Sequence, residues 1–258
     1  MVKNYFMLKF RMVLFVVLFP LMGIGQVQKE KEVNEQAQSM FSLNNTITFD
    51  KHWGLLADFH LRRDDFVNTD SFYMVRGALA YITENKKVFA LGYGHMWTAP
   101  SNPGCTTFAN EDFMYQMLDF NSKIGNVSIL NRFRNEQRWQ QVIVNDAWTG
   151  DKVFSNRVRY LASFNIPIFK KKTLPSLVIS DEIFVQFGKN VVYNTFDQNW
   201  FFVGIKQSIT PKLSFDFGYM NVYQQKKSGY QYDMNHTLRL FFYYKNDANS
   251  IVHVGHHS

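Results

Sequence analysis

From about residue 37 almost to its end, the chain alternates apolar and polar residues with a period of two, and this pattern limits its fold more than any other feature. In the first segment, the residues of one parity are mostly apolar: Phe41, Leu43, Ile47 and Phe49. Such alternation predicts β-strands in which one face is apolar and the other is polar. No stretch with the helical period competes with it, so the sequence predicts an all-β protein.

The alternating segments follow one another without a linker that would divide the chain into domains. The predicted strands are 37–49, 53–63, 71–82, 88–98, 112–122, 127–140, 152–166, 175–187, 197–209, 212–224 and 231–244. A short twelfth strand is expected either at 250–255 or within the polar lead-in, residues 26–36.

The predicted connections alternate between short turns and longer polar loops. The short turns are 50–52, 84–87, 123–126 and 210–212. The longer loops are 64–70, 99–111, 141–151, 188–196 and 225–230. Short connections on one side and long ones on the other are typical of single-chain membrane barrels. Only the connection 167–175 is longer than this rule expects.

The first 25 residues have the features of a secretory signal peptide. Basic side chains precede an apolar run, Met12–Leu21, and the small residues Gly23 and Gly25 follow it. This order predicts export, with cleavage near Gly25 or Gln26. The alternative is a membrane-anchor helix, but the run is shorter than the ~20 apolar residues that a spanning helix needs.

The faces of the predicted strands favour a membrane barrel over a soluble sandwich. One face is aromatic and aliphatic, as at Phe215, Phe217 and Tyr219, and the other carries the charges. Strands of ~9–13 residues suit a tilted crossing of the hydrocarbon layer. Tyr and Trp near the strand ends fit interfacial girdles. In the sandwich alternative, the apolar faces of two sheets would pack against each other.

The sequence therefore predicts a single antiparallel transmembrane β-barrel over residues 37–244, with about 12 strands and a range of 10–12. Residues 245–258 form a tail or a short last strand in this prediction. The expected location is the outer membrane of a Gram-negative bacterium. The expected partners are outer-membrane lipid and the barrel-insertion machinery, which reads an aromatic strand end such as Tyr244.

Composition argues against other classes of protein. The net charge of +7 is modest and scattered, which does not favour a nucleic-acid-binding protein. A single cysteine, Cys105, leaves no possibility of an intramolecular disulfide. No Gly-rich phosphate loop is present, and no cofactor is expected. The tail residues His253, His256 and His257 are interpreted as solvated surface rather than as a metal site.

The polar faces of the later strands carry a ladder of charged residues that would line the lumen. Its members are Arg132, Arg134, Glu136, Arg138, Arg157, Arg159, Glu182, Lys206 and Arg239. A barrel of ~10–12 strands is narrow, so these side chains must meet across it. One hypothesis is a self-neutralising plug that satisfies buried charge. The other is an arginine-lined constriction that selects small anionic solutes, because arginines outnumber carboxylates in the ladder.

Three short pieces of the sequence resemble a known family. They are Arg132-Phe133-Arg134-Asn135-Glu136-Gln137-Arg138, Asp181-Glu182-Ile183-Phe184 with Gly188, and Phe196-Asp197-Gln198-Asn199 with Gly204. Together they resemble the domain of unknown function 2490 family of exported proteins from Bacteroidetes-type bacteria, over roughly residues 37–244. Trp200 stands where the family pattern has a basic residue. The resemblance implies an outer-membrane barrel of unassigned function and carries over no catalytic residues.

Two further functions remain as alternatives to a passive or plugged barrel. A lipid-modifying enzyme would need a serine hydroxyl within reach of an oriented histidine, and His95 is the best-placed candidate. No serine has a recognisable nucleophile setting, so the chain is not expected to be an enzyme. A binding or adhesion barrel would use the loops at 99–111 and 141–151.

Overall fold

The computed structural model describes residues 29–100, 102–170 and 174–247, and these residues form a closed barrel of eleven strands. The strands are β1 Glu32–Thr48, β2 Trp53–Asp64, β3 Thr69–Ile82, β4 Val88–Thr98, β5 Ala109–Ile124, β6 Val127–Val144, β7 Ala147–Pro167, β8 Ser176–Phe187, β9 Phe196–Ser208, β10 Leu213–Gln225 and β11 Gln231–Asp247. The prediction of an all-β barrel with ten to twelve strands is confirmed.

Ten neighbouring strand pairs are antiparallel, and the pair that closes the barrel is parallel. β1 and β11 run side by side from Glu32 opposite Gln231 to Thr48 opposite Asp247. The prediction of an entirely antiparallel barrel was wrong at this pair. In a meander with an odd number of strands, the first and last strands point the same way, so closure must be parallel.

β1 is longer than predicted because the parallel pairing begins early. It starts at Glu32, so the last residues of the predicted lead-in 26–36 belong to the barrel. The compact unit that contains the barrel starts at Lys31. The predicted signal peptide and the possible strand at 250–255 lie outside the described residues.

The predicted loop at 141–151 is a protruding β-hairpin instead. β6 continues to Val144 and β7 begins at Ala147, so only Asn145 and Asp146 form the turn. Their φ angles of 50° and 57° are those of a type I′ turn, which matches the twist of the flanking strands. The sequence pattern failed here because the alternation breaks: Val142, Ile143 and Val144 are consecutive apolar residues at a register shift between Gln141 and Ile143, and turn-forming residues follow them.

Loop length does not distinguish the two rims, contrary to the prediction. The predicted loop 64–70 is reduced to a turn at 65–68. The longer connections are 99–108 and 188–195 on one rim and 168–175 on the other. The rim that carries the protruding hairpin and loop 99–108 is called the hairpin rim below.

The two faces of the barrel wall differ as the alternation predicts. Outward-facing apolar side chains are exposed on every wall and include Leu55, Leu79, Leu91, Phe133, Val158, Ile183, Phe201, Phe217 and Leu238. The interior is filled by side chains, among them the fully buried Phe113, Phe202 and Met220. No helix within the described residues is long and apolar enough to cross a membrane.

The ion-pair network inside the barrel as a candidate functional site

The charged ladder lies inside the barrel, and most of its members lie on the three consecutive strands β6, β7 and β8. β6 and β7 are neighbours, with Arg134 opposite Arg159 and Glu136 opposite Arg157. β7 pairs in turn with β8, which carries Glu182. Alternate residues of these strands face the lumen, so the register places Glu136 beside Arg157 and brings two arginines, Arg134 and Arg159, next to each other.

Glu136 is the centre of the network. Its side chain is 0% exposed and accepts hydrogen bonds from two arginines of β7. Arg157 Nε lies 2.7 Å from Glu136 Oε2, and Arg159 Nη1 lies 3.0 Å from Oε1. Arg134 Nη1 is 3.8 Å from the same Oε1. One buried carboxylate therefore faces three guanidinium groups.

Both arginines of β7 also bind a second carboxylate. Arg159 donates from Nε to Glu182 on β8 at 3.0 Å. Arg157 donates from Nη1 to Asp197 on β9 at 3.1 Å. The network therefore links β6, β7, β8 and β9. Each added carboxylate helps to offset the cost of removing charge from water.

Two carboxylates on β5, which were not predicted, also face the lumen. They pair with two arginines of β6, so the surplus of arginines predicted for this part of the ladder was wrong. Glu111 accepts two hydrogen bonds from Arg138, at 2.7 and 2.6 Å. Asp119 accepts two from Arg132, at 2.9 and 2.7 Å. Asp181, next to the inward-facing Glu182, faces outward and accepts a hydrogen bond from Asn199 at 2.7 Å.

Glu111 was missed because the prediction placed it in the loop 99–111, whereas β5 begins at Ala109; Asp119 was missed because the inward face of β5 is largely apolar. Between Glu111 and Asp119, the inward positions hold Phe113, Tyr115 and Met117. Phe113 and Tyr115 lie over Gly94 and Gly92 of β4, where a methyl group would overlap their rings. The glycines at alternate positions of β4 were the available signal, because glycine in a strand often marks a close approach of another group.

Lys206 and Arg239 belong to a second cluster, at the wall of β9 to β11. Arg239 donates two hydrogen bonds to Asp216, at 3.1 and 2.9 Å. The Tyr243 hydroxyl donates to Asp216 at 2.6 Å. Lys206 Nζ lies 4.9 Å from the centre of the Tyr243 ring. The ladder predicted as one set is therefore divided between two walls.

A third cluster, on β2 and β3, was not predicted. Arg76 donates from Nη2 to Asp58 at 2.8 Å and lies 2.9 Å from Nε2 of the buried His60. Because a guanidinium only donates, His60 Nε2 must accept and its hydrogen must sit on Nδ1. Among the described residues, this Nδ1 has no hydrogen-bond partner.

Arg62 extends the third cluster across the lumen. It is 5% exposed and lies between two rings, 4.7 Å from the centre of Phe72 and 5.3 Å from that of Trp200. Trp200 is on β9, and β1, β11 and β10 separate β9 from β2 on that side of the barrel. A contact between these two strands therefore spans the interior.

The other predicted candidates lie outside the lumen. His95 faces outward, with Nδ1 2.7 Å from Asp112, and among the described residues its hydrogen bonds include none to a serine. No group of three or more His, Cys, Asp or Glu is placed to hold a metal within the described ranges. The tail histidines fall outside those ranges.

The two predicted binding loops contact each other at the hairpin rim. The Asp146 carboxylate, in the hairpin turn, accepts hydrogen bonds from the backbone N–H groups of Thr107 at 2.7 Å and Thr106 at 2.9 Å. These bonds lower the pKa of Asp146 below its ordinary value, because they favour the charged form.

Comparison with known proteins identifies a family but no activity. A family model described as a protein of unknown function, DUF2490, matches residues 37–246. The match extends from within β1 into β11 and includes every member of the charged ladder. No curated protein matches the chain.

Proposed function

We propose that this chain, a member of the DUF2490 family of proteins of unknown function, is an outer-membrane β-barrel. In this proposal, ion pairs between side chains in the lumen close the barrel, so it is not an open channel. The proposal has two parts, the membrane setting and the closed lumen. Each is supported by a different face of the barrel wall.

The outer face supports the membrane setting. Large apolar side chains are exposed around the wall, for example Leu91 at 56% and Leu79 at 48%. A soluble protein rarely exposes apolar surface that continues around its whole circumference. The aromatic residues Trp97 and Trp139 near the hairpin rim suit a membrane–water interface. In a closed barrel, unlike a sandwich, these apolar faces have no second sheet to cover them.

The observation that carries the closed lumen is the burial of Glu136 among arginines. A carboxylate in an open, hydrated pore would retain contact with water, whereas Glu136 has 0% exposure and protein donors on both oxygens. The cross-lumen contact of Arg62 with Trp200 closes the interior nearer the hairpin rim.

Conductance of the refolded protein in a planar bilayer tests the closed lumen. We expect the wild type to incorporate without steady openings. Replacing Arg157 and Arg159 together by Ser should produce conducting barrels, because it removes the groups that fill the centre. Arg63→Ser is the matched control, since Arg63 lies outside the lumen near the hairpin rim and contacts Asp70. Steady, ion-selective openings of the wild type would contradict the proposal.

A narrow anion-selective channel is the second candidate, and it is favoured by unsatisfied donors in the lumen. Within the described residues, the N–H groups at Arg62 Nε and Nη2, Arg134 Nε and His60 Nδ1 have no acceptor. A small anion could accept from such groups. If this function holds, the double change Arg132→Ser and Arg134→Ser should shift the reversal potential away from anion preference.

A further inference from the structure

The outer wall of β2 to β5 contains a shallow apolar groove. It encloses about 530 Å³ and forms where two small residues, Ala57 and Gly77, lie side by side. Leu55, Leu79 and Leu91 border it. An added Cβ at Gly77 would have one heavy atom as near as 4.0 Å, so this position is open space.

A polar cluster lies at the end of the groove nearer the hairpin rim. The strand register aligns Ala57, Gly77, Tyr93 and Met114 in one row across the wall. His95 and Asp112, paired with each other, belong to the adjacent outward-facing row. Tyr93, which also lines the groove, connects the two rows by donating a hydrogen bond to Asp112 at 2.5 Å.

The cluster combines one carboxylate with several exposed donors. Asp112 accepts from Lys152 Nζ at 2.8 Å and faces His95 Nδ1 at 2.7 Å. The Lys152 side chain is 40% exposed, and an ammonium carries three hydrogens, so it can donate to a further acceptor. The ring of Trp97 packs against His95, with centroids 4.4 Å apart.

We propose that the groove and this cluster together bind one membrane lipid with an anionic phosphate headgroup. The acyl chain lies in the groove beside Gly77. The headgroup phosphate accepts hydrogen bonds from Lys152 and from other donors of the polar cluster. An aliphatic groove that leads to a cationic group matches the two ends of such a lipid. The inference rests on the proposed membrane setting, because only there is the groove in contact with lipid.

A lipid accounts for the position of the cluster better than a protein partner does. The charged groups lie at the level of Trp97 and Trp139, where an interfacial girdle would meet the headgroups. The groove beneath them is lined by aliphatic carbon and by small residues, which suits a flexible chain.

Native mass spectrometry of the purified barrel tests the inference, with dioleoyl phosphatidylglycerol and phosphatidylcholine as competing probes. We expect one phosphatidylglycerol to be retained in preference to phosphatidylcholine. Lys152→Gln should weaken that preference about fivefold, the effect of one basic residue at a charged surface. Gly77→Leu should abolish retention by filling the groove, and the space at Gly77 allows this change without misfolding.

Ala162→Leu is the matched control, because it adds similar bulk to the outward face of β7 outside the groove. It should retain phosphatidylglycerol as the wild type does. Equal retention of both lipids, or undiminished retention by Gly77→Leu, would overturn the lipid site alone. Flotation with liposomes separates the two proposals: a chain that does not incorporate into them would overturn the membrane setting as well.

Discussion

Two buried arginines on different walls of the barrel, Arg157 and Arg62, are stabilised in different ways. Arg157, in the wall of β6 to β9, contacts Glu136 at 2.6 Å and Asp197 at 3.1 Å. Arg62, on β2, makes no ion pair among the described residues and packs between the rings of Phe72 and Trp200. The stability of an ion pair depends on the strand register and on the presence of both charged partners. The packing of an arginine between aromatic rings depends mainly on a side chain of similar volume filling the same space. Arg157 should therefore tolerate substitution less well than Arg62.

The largest effect is expected for Glu136→Gln. This change keeps the side-chain shape but removes the charge that three guanidinium groups face, and breaking a buried pair costs about 3–5 kcal/mol. The free energy of unfolding, measured by urea titration of the refolded barrel, checks the prediction. Glu84→Gln, at an exposed position in the turn between β3 and β4, should change it by less than about 0.5 kcal/mol.

The direct test of the comparison replaces each arginine by methionine. Arg157→Met should destabilise the barrel by about 3 kcal/mol, because Asp197 then loses its ion pair. Arg62→Met should stay within about 1 kcal/mol of the wild type, because it removes unsatisfied N–H groups and still fills the space between the rings. Equal losses of unfolding free energy in the same detergent would refute the distinction between these two arginines.

The smallest effect is expected at the rim, where the half-buried Asp146 holds loop 99–108. Because its pKa is lowered in the folded state, the contact is fully formed above the unfolded-state pKa. It is lost as the pH falls through the folded-state pKa. Asp146→Asn should therefore loosen the loop at neutral pH and have no effect at a pH below the folded-state pKa.

Cys105 reports on this loop, since it is the single cysteine of the chain. At neutral pH, a disulfide reagent should label the Asp146→Asn variant faster than the wild type. Dividing the labelling rate of the variant by that of the wild type at the same pH removes the effect of thiol ionisation. This ratio should approach one in acid, where Asp146 of the wild type is protonated. Asp151→Asn, on the same hairpin, is the control. A ratio that does not change with pH would argue against the contact.

The sequence predicted the strands well because the barrel wall has one apolar and one polar face almost everywhere. The ladder of β6 and β7 was found for the same reason: charges at alternate positions of adjacent strands share the lumen face. Glu111 was missed because it was placed in the predicted loop 99–111, and Asp119 because β5 turns apolar side chains inward before it. Pairing between walls, as for Arg62 and Trp200, depends on closure of the barrel, and local periodicity carries no information about it.

Connections and strand direction were predicted less well. The hairpin at Asn145 and Asp146 was predicted as a loop because the alternation breaks at residues 142–144, where the strand register shifts. The direction of the closing pair depends on whether the strand number is odd or even. The predicted twelve strands differ from the observed eleven by only one, but this difference changes the closing pair from antiparallel to parallel.

The parallel pairing of β1 with β11 determines where the polypeptide enters and leaves the wall. The chain enters at Glu32, on the hairpin rim, and leaves at Asp247, on the opposite rim. If the barrel spans a bilayer, any polypeptide joined before β1 is delivered to one compartment and any joined after β11 to the other. The barrel would then connect two compartments by a covalent chain, even when its lumen lets nothing through.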